Sequence, residues 1–323
     1  MQEVLLLGLI VFFSLVLVKA TDILIINFKT LAAKTKLGEF ALTGLLLALT
    51  TSLPELFIGI TSALNQTPNL SLGNVLGANI ANLSLVIGGA ALLGGEITTR
   101  GRLLRREILL AFLISVAPLV LMLDRCLDQI DGIILLFLYG FYQFSIFKDR
   151  QRERKEFESE GVFPRLLRQL NHRSTQKEAG WLFLGMALLL FSAEMVVRFA
   201  SRLAVLLNLP ILLIGLILVS LGTTLPELVF GIRAIRKHQP SMVLGDLLGS
   251  LVANASLILG IITLICPITV SAWGEYLIAT LALVLAFGIF FGFVERQKKI
   301  ERWEGIVLVL FYFMFALIEF LRA

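Results

Sequence analysis

Shifted by 172 residues, the chain lies on itself without a gap, and the residues that coincide are rare types rather than leucine on leucine. Pro54 and Glu55 fall on Pro226 and Glu227; Gly59, Gly73 and Gly77 fall on Gly231, Gly245 and Gly249. Asn82, Ser84 and Gly88 fall on Asn254, Ser256 and Gly260, and Asp22 falls on Glu194. The centre of each copy is a short stretch inside a long apolar run, "LTTSLPEL" in the first and "LGTTLPEL" in the second. A carboxylate at the middle of a bilayer costs roughly 2.5–3.5 kcal/mol, and a proline beside it interrupts the helix as well. Two such sites at one fixed offset point to a single ion-binding device built from two copies of the same half.

Only 16% of the residues are charged and 58% are hydrophobic, against about 25% charged in soluble domains. This excludes a soluble globular fold, and the long apolar runs favour helices over a barrel. Ten runs can be marked, at 4–28, 41–62, 70–93, 107–123, 132–147, 180–207, 210–232, 242–264, 272–294 and 305–321. Most approach the ~20 residues that a helix needs to cross hydrocarbon. The first lacks a small-residue cleavage site and reads as a retained transmembrane helix. The predicted fold is an all-α membrane protein of ten transmembrane helices in two five-helix repeats, 1–147 and 180–323, joined by a polar linker at 148–179. A short amphipathic helix within the linker, near "FPRLLRQL", is a secondary expectation.

Of the 28 Lys and Arg, 23 lie in alternate loops, nine of them in the linker. The positive-inside rule therefore puts the linker in the cytoplasm and both termini outside, in a multi-pass protein of the plasma (inner) membrane. It also explains the net charge of +5 without nucleic acid. Five spans is an odd number, so the second half enters the membrane from the side opposite to the first. Such inverted repeats place the sites of secondary transporters near the midplane. Cys126 and Cys266 fall in or near outward loops with no metal-type spacing; whether they pair stays open.

Thr51 and Glu55 are four apart and share a helix face, as do Thr223 and Glu227. Each glutamate precedes an asparagine, Asn82 or Asn254, by 27 residues, enough for a helix end, a turn and half a helix back to the same depth. Pro54 and Pro226 free the carbonyls of Thr50 and Gly222, and the glycines let helices approach closely. Carboxylates, carboxamides, hydroxyls and carbonyls are hard oxygen ligands, and no cysteine or histidine joins them. The blander reading of Glu55 and Glu227 is a pair of buried protonated hydrogen-bonding groups. Asp22 and Glu194 read as structural or gating residues, with Lys19 beside Asp22. Asp246, opposite Asn74 in the repeat, reads as a cytoplasmic attractor for cations. His172 and His238 read as solvated.

At "TSLPEL" with "GNVLGANIAN" and at "GTTLPEL" with "GDLLGSLVAN" the chain resembles the calcium/cation antiporter superfamily, within it the prokaryotic-type sodium/calcium exchangers. The matching regions, about 41–93 and 210–264, look like that family's two alpha repeats. The resemblance implies that Glu55 and Glu227 are the central ligands shared by Ca²⁺ and Na⁺. It implies hydroxyl or backbone oxygen from Thr51, Ser52, Thr223, Thr224 and Ser250, backbone carbonyls from Ala48 and Ser220, and the middle of the site from Asn82 and Asn254. Three departures stand out. Ala78 replaces a serine, Leu251 replaces an asparagine, and Asn82 and Asn254 stand where the family often has Asp. The linker has no room for the large calcium-sensing insertion of eukaryotic members.

The implied function is Na⁺/Ca²⁺ exchange by alternating access, driven by the Na⁺ gradient, with no cofactor and no obligate protein partner beyond the ions and the bilayer. H⁺/Ca²⁺ or K⁺-linked exchange in the same fold is the alternative; a passive channel and an intramembrane hydrolase are weaker ones. The topology has a direct test. In a variant lacking Cys126 and Cys266, a cysteine placed in the linker should react with an impermeant maleimide only in inside-out vesicles. One placed beside either terminus should react only in right-side-out vesicles.

Overall fold

The structure is a computed structural model that describes residues 2–34, 52–98, 102–153, 176–236, 238 and 240–322. Its helices are α1 (Gln2–Lys34), α2 (Leu53–Leu64), α3 (Pro68–Gly94), α4 (Arg102–Leu121), α5 (Gln129–Glu153), α6 (Gln176–Leu207), α7 (211–236), α8 (240–265), α9 (Trp273–Gln297) and α10 (Arg302–Arg322). Among the described residues, eight of these are long and apolar enough to cross a membrane. α7, bent by 40° between Leu225 and Glu227, makes a ninth if counted as one span. α2 is a shorter apolar helix of 12 residues; the part of the expected 41–62 span that precedes it lies outside the described residues. The linker's expected amphipathic helix lies there too, although α5 and α6 reach into the linker as far as Glu153 and from Gln176.

The helices sort into layers by what they face. The spans in α3 and α8 are 89% and 78% buried, whereas the other six long spans are 22–39% buried. Phe137, Phe183, Val205, Phe320 and Leu321 are all exposed on these outer helices, an arrangement that fits lipid and not water. One hydrophobic core runs through α3–α5 and α7–α10. A second joins α1 to α6, reinforced by Phe13 packing on Phe191 and Phe199, and meets the rest through Ile58, Leu70, Ile214 and Val219.

Every described element of the first half has a mate about 172 residues further on. Pro68 and Pro240 both open a helix at its first turn, where the missing N–H goes unmissed. Gln66 and His238, just before them, both take positive φ (58° and 56°). Both halves have a π-helical stretch at the equivalent place, Asn82–Val86 in α3 and Ala253–Ile258 in α8, and α7 has a further one at Gly215–Val219. Two-residue strands pair across the halves: β1 (Ile97–Thr98) with β4 (Lys299–Ile300), and β2 (Cys126–Leu127) with β3 (Ile268–Thr269). β1 precedes α4 and β2 follows it, so the two ladders sit at opposite ends of the bundle and exchange places when the halves are swapped.

Lys299 ties the first ladder by ion pairs to Glu96 (3.3 Å) and Glu301 (2.6 Å). These pairs hold the ammonium above its usual range and the Glu301 carboxyl below it. At the other ladder Cys126 and Cys266 are both free thiols. Burial and then the charges of Asp124, Asp128 and Asp131 push the Cys126 thiol up, which disfavours the reactive thiolate.

Glycines set the closeness of the central crossing. A methyl built on Gly73 would run into the Leu212 carbonyl, one on Gly77 into the Leu216 carbonyl, and one on Gly215 into the Leu70 carbonyl. α3 and α7 therefore touch backbone to backbone, which only glycine permits. Gly88 meets Gly305, and its repeat mate Gly260 meets Gly132, at 2.7 and 3.0 Å from the built methyl to the opposing carbonyl oxygen. Gly245, expected to act likewise, meets no described residue within 4 Å.

Gly77→Ala should therefore lower the stability of the purified protein by about 1–3 kcal/mol, the usual range for overpacking, because the obstacle is backbone. Gly140→Ala, where nothing lies within 4 Å, should be neutral. Thermal unfolding in detergent reads both.

Candidate functional site

The repeated motif starts a helix in one half and bends one in the other. In the first half Ser52 is the N-cap of α2, Pro54 occupies its first turn, and Glu55 lies in that same turn. Helix N-termini carry partial positive charge, and Glu55 lies at that end of α2. In the second half α7 changes direction around Pro226, and the ring leaves the Gly222 carbonyl without its helical donor. Glu55 and Glu227 are 0% and 2% exposed.

The two glutamates lie close enough to repel one another, and Asp246 adds to the negative field at both. Three of their four oxygens accept no hydrogen bond; the fourth, Oε1 of Glu227, accepts one from the Ser250 hydroxyl at 3.0 Å. Thr223 stands beside the Glu55 carboxyl group, and Asn82 beside that of Glu227. Asn254 donates to the Asn79 carboxamide oxygen at 3.0 Å and keeps its own oxygen buried and unpaired. Asn82 is unpaired at both polar atoms. Buried polar groups are nearly always satisfied in folded proteins. This density of orphan polar atoms, three of them carboxyl oxygens, marks a place that fits a cation.

The expected ligands divide accordingly. Glu55, Glu227, Asn82, Thr223 and Ser250 are drawn together, whereas Asn254 is tied to Asn79. Ser52 is buried with its hydroxyl unpaired. The Thr224 and Ser220 hydroxyls each have a backbone partner. The Ser220 hydroxyl donates to the Leu216 carbonyl (2.5 Å) and lies against Gly77 in the α3–α7 crossing. The Ser220 carbonyl, expected as an open ligand, already accepts the hydroxyls of Thr223 (3.1 Å) and Thr224 (2.8 Å). Thr51 and Ala48 lie outside the described residues. Among the described residues no three His, Cys, Asp or Glu side chains converge on one point, so a cation here would rely on neutral oxygens beside the two carboxylates.

Three other acids take different places. Asp246 is buried rather than standing at an open entrance; its helix, α8, is one of the two enclosed ones. Asp22 pairs with Lys19 at 3.7 Å on an exposed face of α1. Glu194 is held by Arg198 (2.5 Å) and by the Asn65 carboxamide (3.0 Å), which joins α6 to the end of α2. Both pairings are structural.

Two buried asparagines escaped the sequence reading. Asn74 accepts from Thr223 at 3.4 Å and Asn79 bridges α3 to α8. Their repeat mates are Asp246 and Leu251, so a search for matching residues passes over them. The π-helical stretches were missed as well. Their signal is the Asn-x-Ser pattern at 82–84 and 254–256, where each serine hydroxyl bonds the carbonyl four residues back, Ser84 to Ile80 and Ser256 to Val252. Single-turn π elements are frequent at functional sites, and each of these two contains one of the site asparagines.

Known proteins with this arrangement can now be set beside it. The chain is 30% identical to the sodium/calcium exchanger MaX1 of Methanosarcina acetivorans, over 98% of this chain and 97% of that one. It is 29% identical to the putative antiporter CaxA of Alkalimonas amylolytica, over 91% and 92%. Among solved structures, the sodium-calcium exchanger NCX_Mj soaked with Na⁺ and Sr²⁺ superposes with a TM-score of 0.64 at 25% identity, covering 97% of both chains. The sequence pattern described as "Sodium/calcium exchanger protein" matches residues 5–148 and 177–321, everything except the linker and the extreme ends. With both halves matched and the buried glutamates one in each, the chain belongs to the sodium/calcium exchanger family, on the prokaryotic branch of the calcium/cation antiporters.

Proposed function

We propose that this protein is a secondary active antiporter that exchanges Na⁺ for Ca²⁺ by alternating access, both ions competing for one site between Glu55 and Glu227. The observation that carries this reading is the pair of fully buried carboxylates, one from each half, with three of four oxygens unpaired. At an effective dielectric of ~20, unit charges ~4 Å apart interact by about 4 kcal/mol. Two ionised glutamates without a cation therefore repel strongly and go unsolvated. One Ca²⁺ or two Na⁺ cancel the charge of −2. The closed, lipid-sealed intermediate is then accessible only to the loaded carrier, and this couples the two ion flows. Thr223, Ser250, Asn82 and Asn254 complete the shell in this reading, together with Thr51, Ser52, Thr224 and the carbonyls of Ala48 and Ser220. The names of MaX1 and NCX_Mj support the choice of ions.

The architecture proposed with it is ten spans in two inverted halves, 1–147 and 180–323, with termini outside, a cytoplasmic linker at 148–179 and residence in the plasma membrane. The exchange of the two β-ladders between opposite ends of the bundle supports the inversion, and the Lys and Arg distribution supports the orientation. Swapping which half rocks against the other would then open the same site to either side.

The reading is tested in proteoliposomes. Glu55→Gln and Glu227→Gln each remove one unit of charge from the site. At about 4 kcal/mol per close charge pair, each should cut Na⁺-driven ⁴⁵Ca²⁺ uptake by about 1,000-fold, in effect to background. Near-normal uptake by either variant would remove that residue from the site. Uptake by the wild type that follows an imposed H⁺ or K⁺ gradient with Na⁺ absent would reassign the driving ion.

A further inference from the structure

The asymmetry between Asn79 and Leu251 has a chemical direction. These two residues occupy equivalent positions, 172 apart, and they touch: the Asn79 Nδ2 donates to the Leu251 backbone carbonyl at 3.3 Å. Two equivalent positions in contact mark the line about which the halves exchange. A carbonyl only accepts, so the Asn79 amide must turn its NH₂ toward Leu251. Its Oδ1 then points the other way and accepts Nδ2 of Asn254 at 3.0 Å. Asn254 in turn has its own oxygen pointed away from Asn79, buried and with no hydrogen-bond partner. The chain of amides therefore runs one way only, from a fixed backbone carbonyl to a free amide oxygen.

The other half lacks this chain. The position equivalent to Asn79 is Leu251, which has no amide to offer, and Asn82 is correspondingly unpaired at both Nδ2 and Oδ1. The anchor itself is firm. The Leu251 carbonyl also accepts the Ser115 hydroxyl of α4 at 3.4 Å, and Leu251 lies just before the π-helical stretch of α8.

We infer that Asn79 is a positioning residue: it locks the Asn254 carboxamide with its oxygen turned to the transported cation, whereas Asn82 has no amide at the equivalent position to lock it. This rests on the reading that Asn254 faces the ion. An unlocked amide presents NH₂, which repels a cation, for part of the time; a locked one always presents oxygen. The two asparagines then play different parts, Asn254 as a ligand oriented by Asn79 and Asn82 as one that stands beside the Glu227 carboxyl group.

The test is a double-mutant cycle on Asn79→Ala and Asn254→Asp, reading the half-saturating Ca²⁺ and Na⁺ concentrations from transport. Ion-induced thermal stabilisation in detergent reads the same affinities without turnover. Asn79→Ala alone should raise the half-saturating concentrations about 10-fold and leave the maximal rate within about 2-fold. In the Asn254→Asp background the sign should reverse. A carboxylate offers oxygen at both ends and needs no orienting, and Asn79 Oδ1 now faces it without a proton between, so removing Asn79 should tighten binding. A purely structural role for Asn79 predicts the same loss in both backgrounds, and that result would overturn the inference. If the Asn254→Asp protein does not fold, Asn79→Ala alone decides, and unchanged affinity overturns the inference. Should the wild type be stabilised by a cation other than Ca²⁺ or Na⁺, the proposed ion pair falls while the cycle is read with that cation. Stabilisation by none of Ca²⁺, Na⁺, K⁺ and Mn²⁺ would remove the ligand role of Asn254 and the inference with it.

Discussion

Two carboxyl groups enclosed in a lipid-spanning bundle, hydrogen-bonded at only one of four oxygens, are the constraint around which the rest is arranged. Buried charge without a partner is among the most destabilising things a fold can contain. Here the two groups are not kept apart; each half delivers one to the same place. The bundle tolerates them because they end on favourable local dipoles. Glu55 sits in the first turn of α2, and Ser250, Thr223 and Asn82 are arranged around the pair. What is left over is a demand for positive charge from outside the chain, which is what a cation carrier needs.

Delivering both groups to one point requires α3 and α7 to cross at backbone contact, and glycine makes that crossing. Gly73, Gly77 and Gly215 face carbonyls with no space for a methyl. At that separation Asn74 of α3 reaches Thr223 of α7, and the serine at 220 is absorbed into the crossing rather than turned to the site. The same close contact makes one half's departures from the other consequential. Leu251 opposite Asn79, and Asp246 opposite Asn74, break the symmetry where the halves meet. The proposed alternating access needs two similar end states, yet a site that binds ions of different charge gains from inequivalent ligands, and the Asn79–Asn254 chain is an inequivalence between the halves.

Much of this was legible in the sequence. Span positions followed from apolar run length and agree closely with the helices. The repeat offset located both glutamates, both asparagines and the glycines before any geometry was available, because a two-fold device must repeat its rare residues. The method had a blind spot of the same origin: by searching for what the halves share it passed over Asn74 and Asn79, which do their work by having no counterpart. Asp246 was read as a cytoplasmic attractor because it begins a span; its burial shows only once α8 is seen to be enclosed along most of its length. That the Ser220 carbonyl accepts two hydroxyls of the same turn could not be seen in a linear motif.

The sequence by itself determined the membrane class, the duplication and the family pattern, since each of these is a matter of composition and spacing along one chain. Only the tertiary structure decided which oxygens remain free, which serine packs rather than faces the site, and which way the Asn254 amide points. Those depend on contacts between residues about 150–175 positions apart. Hydrogen-bond direction is set by the partner's chemistry, and the partner is known only once the two halves have been brought together.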